Sequence, residues 1–473
     1  MRRLLLLVVL AATVLGLPAT ALGHAIVLQS SPPFETAVPT APKKVQVQFS
    51  EPIQLLGAAD VQVVDAQGRP VSGGSAQVSP TDSSLLEIPL KDGLSDGTYT
   101  VRFKVVSADS HIIGGARAFG VGSGPVAAPF LGNGTDNGPD ETSAWAVSAR
   151  FFELVGLGGL LGLLGFRWLV WGPAWRRRLT GVPAAEREAA LGWGRDVFWV
   201  IFGTLAVGSM IAEGYLLITY SANALGTTVL DTLKDTSGVG DVLATTRFGS
   251  LLQLRGALLF ALFAIGAWQF LAEFGSTNAP KAATATGARV PAAIMAGLVL
   301  IVLYGISSQG HASQAPWAPL QVAADVVHLG AAAIWIAGLA VMVVVLRRVP
   351  QVAQQHGPRI AAAVLYTFSG VALAAVGVVV LTGVVRSIGQ LSDPAQLWDS
   401  SYGHSILIKV GLLSLITLVA LWNRRVTNSM AVVSAPPRRA LSMVRRAATA
   451  ELAMAVTVVL VAALLVAQVP GRV

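Results

Sequence analysis

Residues 21–27 read ALGHAIV, and this junction predicts where the mature chain begins. A basic start and an apolar run precede it, and small residues occupy Ala21 and Gly23. This order is typical of a secretory signal peptide with a small-x-small cleavage site. We therefore predict a signal peptide over residues 1–23, which makes His24 the first residue of the mature protein.

A histidine at a mature N-terminus has a specific chemistry. Its free α-amine and its imidazole are two nitrogens on one residue, and together they can chelate a metal ion. If cleavage falls elsewhere, His24 is merely close to the cut and loses this property. The small residues at Ala21 and Gly23 favour the first interpretation.

The composition excludes an ordinary soluble protein. Of 473 residues, 53% are hydrophobic and 12% are charged, and the mean hydropathy is +0.65, which indicates membrane spans. The chain has no cysteine, which excludes disulfides, thiolate metal sites and iron–sulfur clusters. The formal charge of +8 comes from basic residues between apolar runs, so nothing indicates a nucleic-acid partner.

Residues 24–122 predict a soluble all-β domain. Apolar and polar residues alternate with period two in residues 45–49 and again in residues 98–105. Glycine-containing turns at residues 72–74 and 95–97 separate such runs. Short strands at this spacing indicate a Greek-key sandwich or barrel.

The chemistry of this domain is predicted at its end, where residues 106–115 read VSADSHIIGG. Asp109 and His111 are two apart, so both side chains would point to one face of an extended backbone. With the α-amine and imidazole of His24 they make three nitrogens and one carboxylate oxygen, a donor set that suits Cu(II). The alternative for Asp109 and His111 is an ordinary polar turn, which a terminal His24 disfavours.

Several short motifs in this domain carry a family resemblance. They are HA at 24–25, SSPP at 30–33, FSEP at 49–52, S-x-D-x-H-x-x-G at 107–114 and F-x-V at 119–121. Together they resemble CopC, a periplasmic copper-binding β-barrel, and the resemblance implies Cu(II) bound by His24, Asp109 and His111. Because residues 24–122 contain no methionine, the domain resembles the CopC proteins that bind Cu(II) only.

Beyond the β domain the chain changes character twice. Residues 123–144 are rich in Gly, Pro, Ala, Asn and Asp and predict a flexible linker. Residues 145–473 predict an all-α polytopic membrane bundle of about eight transmembrane helices. The predicted spans are residues 145–170, 197–219, 249–273, 290–308, 320–346, 360–386, 404–422 and 449–469.

Basic residues predict the orientation of these spans. Clusters at 176–178, 347–348 and 424–425 follow the first, fifth and seventh spans, and Lys281 and Arg289 follow the third. By the positive-inside rule these loops face the cytoplasm. An even number of spans then places both the β domain and the C-terminus outside, as the signal peptide does independently for the β domain. We therefore predict a multi-pass protein of the cytoplasmic membrane, embedded in the lipid bilayer.

Polar residues within membrane spans are costly and usually functional. His311 follows the fourth span, and Asp325 and His328 lie i and i+3 on one face of the fifth. All three are predicted in the outer half of the membrane, where copper from the β domain would arrive. The alternative is a hydrogen bond between Asp325 and His328 that satisfies both groups inside a bundle.

Three weaker candidates extend this predicted copper path. Met210 and Glu213 are i and i+3 on the second span, although a methionine in an apolar helix more often packs. His404 begins the seventh span on the outer side, where it either receives copper or sits at the interface.

The membrane half resembles a second family. Its motifs are GHA at 310–312, D-x-x-H-x-x-A at 325–331, W-x-x-G-L at 335–339, FSG at 368–370, LTG at 381–383 and YGH at 402–404. They are similar to CopD, a copper-resistance protein of the inner membrane. Both halves in one chain resemble the YcnJ-like fusions of CopC and CopD, and this resemblance implies copper uptake into the cell.

Two other functions stay open beside copper transport. The chain has no Gly-x-x-x-x-Gly-Lys-Ser/Thr nucleotide-binding loop, so transport would be passive or ion-coupled. It also has no pairing of a nucleophile with a base that is typical of a hydrolase, so we predict that it is not an enzyme. Absent cysteine and scarce methionine suit Cu(I) poorly, so an external reductase or copper chaperone is a predicted partner. The first alternative is a haem-containing redox protein with His311, His328 or His404 as axial ligands. The second is a membrane-anchored copper sensor.

Overall fold

The protein folds into a β-sheet domain followed by a helical bundle. The alternating apolar pattern of the first part suits strands, and the long apolar runs of the second part suit helices. The computed structural model describes residues 26–55, 61–107, 112–130, 143–274, 289–308, 312, 315–432 and 438–466.

Two sheets form the β domain, because apolar residues alternate with polar ones along its longer strands and the apolar side chains are buried on one face. The described strands are β1 (Val27–Ser31), β2 (Ala37–Val38), β3 (Lys44–Phe49), β4 (Ile53–Gln54), β5 (Val61–Asp65), β6 (Gln77–Val78), β7 (Leu85–Pro89), β8 (Gly97–Ser107) and β9 (Ile112–Val121). One sheet has the order β1-β3-β7-β6, and the other has the order β2-β9-β8-β4 with β5 also paired to β8.

The inner faces of the two sheets share one core. Val47 and Leu86 from the first sheet and Val101 from the second are fully buried, and they pack with Phe49 and Phe119. The predicted all-β domain is therefore confirmed as a two-sheet sandwich.

The rest of the described chain is helical. Helix α1 (Ala144–Gly165) continues through a π-helical turn at Phe166–Trp171 into α2 (Gly172–Arg178). The further helices are α3 (Ala184–Leu225), α4 (Val229–Lys234), α5 (Ser237–Thr245), α6 (Arg247–Phe274), α7 (Arg289–Ser307), α8 (Ala318–Val352), α9 (Gly357–Gln390), α10 (Gln396–Asp399), α11 (Ser401–Val432) and α12 (Arg438–Val466).

Within the described residues, seven helical segments are long and apolar enough to cross a membrane. They are α1 together with α2, then α3, α6, α8, α9, α11 and α12. These segments coincide with seven of the eight predicted spans. The fourth predicted span coincides with α7, whose described apolar part, Ala293–Ser307, is shorter.

Helix α1 lies at the centre of the bundle and packs against α3, α8 and α12. Small residues let α1 and α8 approach closely. A Cβ atom at Gly162 would lie 2.3 Å from the carbonyl oxygen of Ala333 and 2.4 Å from the Cβ of Ala337. In a lipid bilayer the hydrophobic effect does not drive helices together, and close packing through small residues stabilises their association instead. Helix α9 lies along α8, and α11 lies against α9.

The β domain contacts the bundle through its β8–β9 hairpin. Val106 and Ile112 of the hairpin are buried against Ala224 at the end of α3 and Val242 on α5. This apolar contact fixes the hairpin at one end of the bundle.

A charged hydrogen bond adds to this contact. Lys104 Nζ on β8 donates to the carbonyl oxygen of Asn223, at 3.0 Å. A cation at the carbonyl end of a helix is stabilised by the helix dipole. Because Arg176, Arg177 and Arg178 precede the first residue of α3, the β domain sits at the opposite end of this 42-residue helix from that basic stretch.

Candidate functional site

A cavity of about 490 Å³ lies inside the helical bundle. Most of its lining is apolar and comes from α1, α3, α6, α7, α8, α9, α11 and α12. The ionisable side chains on its lining are Arg150, Tyr220, Arg255, Asp325, His328, Arg386, Tyr402 and Lys409.

Asp325 and His328 both lie on this cavity, as their i and i+3 spacing on α8 allows. Nδ1 of His328 is 2.9 Å from Oγ1 of Thr382 on α9. Oδ1 of Asp325 is 2.9 Å from Nη2 of Arg386, also on α9. Each residue is therefore held by α9, and the described structure contains no hydrogen bond between the two.

Lys409 reaches the same side of the cavity from α11. Asp325, His328, Arg386 and Lys409 together are called the open cluster below. Nearby, the buried Tyr402 donates a hydrogen bond to Oε1 of Gln390. This bond joins the start of α11 to the end of α9 and fixes the two helices that carry Arg386 and Lys409.

A second group of charges lies on α1, α3 and α6. Arg255 donates through Nη2 to Glu153 and, at 2.7 Å, to Oε1 of Glu213. Arg150 Nη1 is 3.3 Å from Oε2 of Glu153. Arg255, Glu153 and Glu213 are all buried. We call these four residues the paired cluster, because two cations balance two carboxylates and each of the four charges has a partner.

The structure separates two of the weaker candidates. Met210 is 37% exposed on the surface of α3, whereas Glu213 is 6% exposed and bound to Arg255. His404 lies at the start of α11, where its Nε2 is 2.6 Å from the carbonyl oxygen of Trp398, and it does not line the cavity. His328 is thus the one described histidine on the cavity, and the described residues bring no second histidine there for a haem.

Four predicted ligands lie outside the residues that the structure describes: His24, Asp109, His111 and His311. Their roles stay predictions. The strands beside two of them are described, since β8 ends at Ser107, β9 begins at Ile112, and Val106 pairs with Ile112. Among the described residues, no group of three or more His, Asp or Glu side chains could hold a metal ion.

Sequence reasoning missed Arg255, Arg386 and Gln390. Each lies within a long apolar helix, where a charged or amide side chain is costly unless a partner or a ligand receives it. That cost was the available signal for Arg255 and Arg386. Which helices face each other does not follow from the period of any one helix, so the two clusters could not be assembled from sequence.

Comparison with known proteins divides the chain in the same two parts. Residues 27–122 match the CopC domain family, and residues 362–465 match the family of Copper resistance protein D, CopD. Copper transport protein CutJ of Bacillus subtilis (strain 168) is 25% identical over 429 residues, which are 84% of this chain and 66% of CutJ. Protein YobA of Escherichia coli (strain K12) is 31% identical over 98 residues, which are 21% of this chain and 78% of YobA.

Two solved structures are similar to the β domain. CopC from Methylosinus trichosporium OB3b is 27% identical, with a TM-score of 0.19, and the match covers 21% of this chain and 93% of that one. PcoC, a methionine-rich copper resistance protein from Escherichia coli, is 30% identical, with a TM-score of 0.18, over 21% of this chain and 99% of PcoC.

A β-sheet domain joined to a multi-pass helical bundle, with these relatives, defines the class of copper transport and resistance proteins. Within that class the chain belongs to the CopC family through residues 27–122, carries a CopD domain in the same polypeptide, and is homologous to CutJ. It spans 66% of the length of CutJ.

Proposed function

We propose that the β domain captures Cu(II) outside the cell and passes copper to the intramembrane cavity for import across the cytoplasmic membrane. His24, Asp109 and His111 are the proposed Cu(II) ligands. Asp325 and His328 are the proposed membrane part of the path, with His311 before them. The relatives whose names describe copper transport and copper resistance support copper as the cargo.

The contact between the β8–β9 hairpin and the bundle carries this proposal. Asp109 is three residues along the chain from Val106, and His111 adjoins Ile112. The covalent chain therefore keeps both ligands within about 10 Å of the interface, since an extended residue spans about 3.3–3.6 Å.

The cavity begins on the other side of this interface. Asn223, which accepts the hydrogen bond from Lys104, and Tyr220 both line the cavity. Copper released at the hairpin would thus enter the bundle without diffusing through solvent. A tethered donor also raises the local copper concentration at the entrance.

The hairpin contact also supports the proposed orientation. The β domain sits at the end of α3 that is remote from Arg176–Arg178. If basic loops face the cytoplasm, this end faces outward, which agrees with capture of external copper.

Cell-associated copper at limiting external copper tests the transfer. Cells with the wild-type chain should accumulate more copper than cells without it, and Val242→Asp should abolish most of the gain because Val242 is buried in the interface. Leu233→Asp is the matched control, since Leu233 is exposed on the nearby α4 and lies outside the interface. Full uptake by Val242→Asp would rule out transfer through this contact, and a fall in cell copper with the wild-type chain would reverse the proposed direction.

A Cu(II) titration of the purified full chain tests the outer site separately. His24→Ala, or retention of one residue before His24, should weaken Cu(II) binding sharply, because either change removes one of two chelating nitrogens. Unchanged affinity in both proteins would rule out the proposed ligand set.

A further inference from the structure

The charges that line the cavity do not balance. Arg150, Arg255, Arg386 and Lys409 are four cationic side chains on its described wall, and Asp325 is the one carboxylate there. Arg150 and Arg255 are neutralised by the carboxylates of the paired cluster. The excess therefore lies in the open cluster, where two cations face one carboxylate.

The donors of the open cluster are also incompletely used. Arg386 contacts Asp325 through Nη2, but its buried Nε has no hydrogen-bond partner among the described residues. Lys409 forms no ion pair or hydrogen bond with any described residue. Charged donors inside a membrane protein are costly without an acceptor, so the site lacks an acceptor of negative charge.

The remainder of the cavity suits a hydrocarbon chain. Its wall follows α8 from Asp325 to Val344, a stretch of 20 residues that rises roughly 28 Å, close to the thickness of a bilayer core. Apart from Arg150, Asp325 and His328, the described lining from α1, α8 and α12 is apolar. Val155 on α1 and Val456 on α12 line it and are 40% and 43% exposed, so the wall between these helices is not closed by packing. The volume lies in the usual range for ligand pockets, about 300–1,000 Å³.

We propose that this cavity binds a membrane amphiphile with an acidic head. Arg386 and Lys409 hold the oxyanion of the head group, and the apolar wall of α1, α8 and α12 holds the tail. A free inorganic oxyanion shares the head-group chemistry but leaves the apolar wall unused, so the cavity favours the amphiphile.

Binding of this ligand also bears on copper, in a consequence that rests on the proposed function. The unbalanced positive charge of the open cluster repels a copper ion at short range in a medium of low dielectric constant. A bound oxyanion removes that repulsion beside Asp325 and His328. The lipid site itself is tested without any measurement of copper.

Native mass spectrometry of the purified full chain tests the site. The chain is taken from nanodiscs of phosphatidylcholine with a minor fraction of phosphatidylglycerol, and the retained phosphatidylglycerol is counted. Wild type should retain it, and Lys409→Gln should retain several-fold less. Lys234→Gln makes the same charge change at an exposed lysine on α4, outside the cavity lining, and should match wild type.

Two further arms complete the test. Lys409→Arg keeps the charge and should retain the lipid, so loss of lipid from it as well as from Lys409→Gln would overturn the electrostatic assignment. Equal retention by wild type and Lys409→Gln would overturn the site. In pure phosphatidylcholine nanodiscs, added inorganic phosphate should not raise the melting temperature. A Lys409-dependent rise equal to that given by phosphatidylglycerol would replace the amphiphile with a free anion.

Discussion

The paired cluster and the open cluster are two charged groups on one cavity, and they differ in balance. In the paired cluster, Arg255 bridges Glu153 and Glu213, and each charge has a partner. In the open cluster, Arg386 forms an ion pair with Asp325, whereas Lys409 interacts with Asp325 only at longer range and forms no hydrogen bond or close ion pair with a described residue. Both groups lie in helices whose composition is apolar enough for a membrane span.

This difference separates structural charges from charges that await a ligand. A buried network of balanced charge joins three helices, and its charges compensate one another within the protein. Oε2 of Glu213 and Nε of Arg255 have no hydrogen-bond partner among the described residues, so the contrast with the open cluster lies in the balance of charge. An unbalanced group is tolerated only where something from outside completes it. The comparison predicts that mutations in the paired cluster act on stability and that mutations in the open cluster act on binding.

Removing the bridge of the paired cluster should have the largest effect on stability. Arg255→Leu leaves Glu153 and Glu213 buried without their shared partner, so the free energy of unfolding should fall by about 3–5 kcal/mol. Thermal unfolding in nanodiscs, followed by circular dichroism, measures this. Adding Glu153→Gln and Glu213→Gln to Arg255→Leu should restore most of the loss. A mild effect of the single change would show that the cluster is not structural.

Removing the carboxylate of the open cluster should lower the stability less than Arg255→Leu does. It should also increase the binding of an acidic lipid. Asp325→Asn removes the carboxylate that forms an ion pair with Arg386 and leaves that guanidinium without its acceptor, so the free energy of unfolding should fall by about 1–3 kcal/mol. Because the cationic excess increases, retention of phosphatidylglycerol should rise. Native mass spectrometry measures the second effect, and lower retention would mean that Asp325 contributes to binding the head group.

A methyl group in the contact between α1 and α8 should disturb the packing of these two helices. Gly162→Ala places a Cβ 2.3 Å from the carbonyl oxygen of Ala333, so α1 and α8 must separate, at a cost of about 1–3 kcal/mol. Gly203→Ala on α3 is the control, since its added Cβ meets no atom within 4 Å. Equal melting temperatures for the two variants would contradict the close packing of α1 on α8.

An ion pair in water should have the smallest effect and sharpens the contrast with both clusters. Glu87 accepts hydrogen bonds from Lys44 and Gln46, and these lower the pKa of its carboxyl group. A lowered pKa stabilises the folded protein at pH values above the usual pKa of glutamate. This stability is lost as the pH falls through the lowered pKa. Because Lys44 is 48% exposed, Glu87→Gln should cost less than about 1 kcal/mol at neutral pH. The loss should vanish at acidic pH in a melting series, and a loss that is independent of pH would assign the effect to packing.

The sequence alone predicts the scaffold well and the site only in part. Alternation in residues 45–49 and 98–105 predicts strands, and the structure contains them in β3 and β8. The prediction succeeds because alternating apolar and polar residues are typical of a strand with one buried face. Hydropathy predicts the long helices for a similar reason. The spacing of Asp325 and His328 also places both on one face, although their role with copper stays a prediction.

The clusters themselves were beyond sequence reasoning because they depend on contacts between helices. Asp325 and Arg386 are 61 positions apart, and nothing in either helix indicates that α8 meets α9 at that level. Met210 and Glu213 show the converse limit. Their spacing favours a shared face, but three residues correspond to about 300° around a helix, so the edge of the buried face passes between them.

The contact between Lys104 and Asn223 also sets an order of events in biosynthesis, since it joins residues 119 positions apart. At roughly 5–20 residues per second, a ribosome needs about 6–24 s to make the intervening chain. The β sandwich is complete before its partner on α3 exists, so Val106 and Ile112 leave the ribosome with their apolar side chains uncovered. Throughout this interval the nascent β domain has to fold on its own core and avoid association through that surface, and a chain truncated after residue 122 would keep the surface exposed permanently.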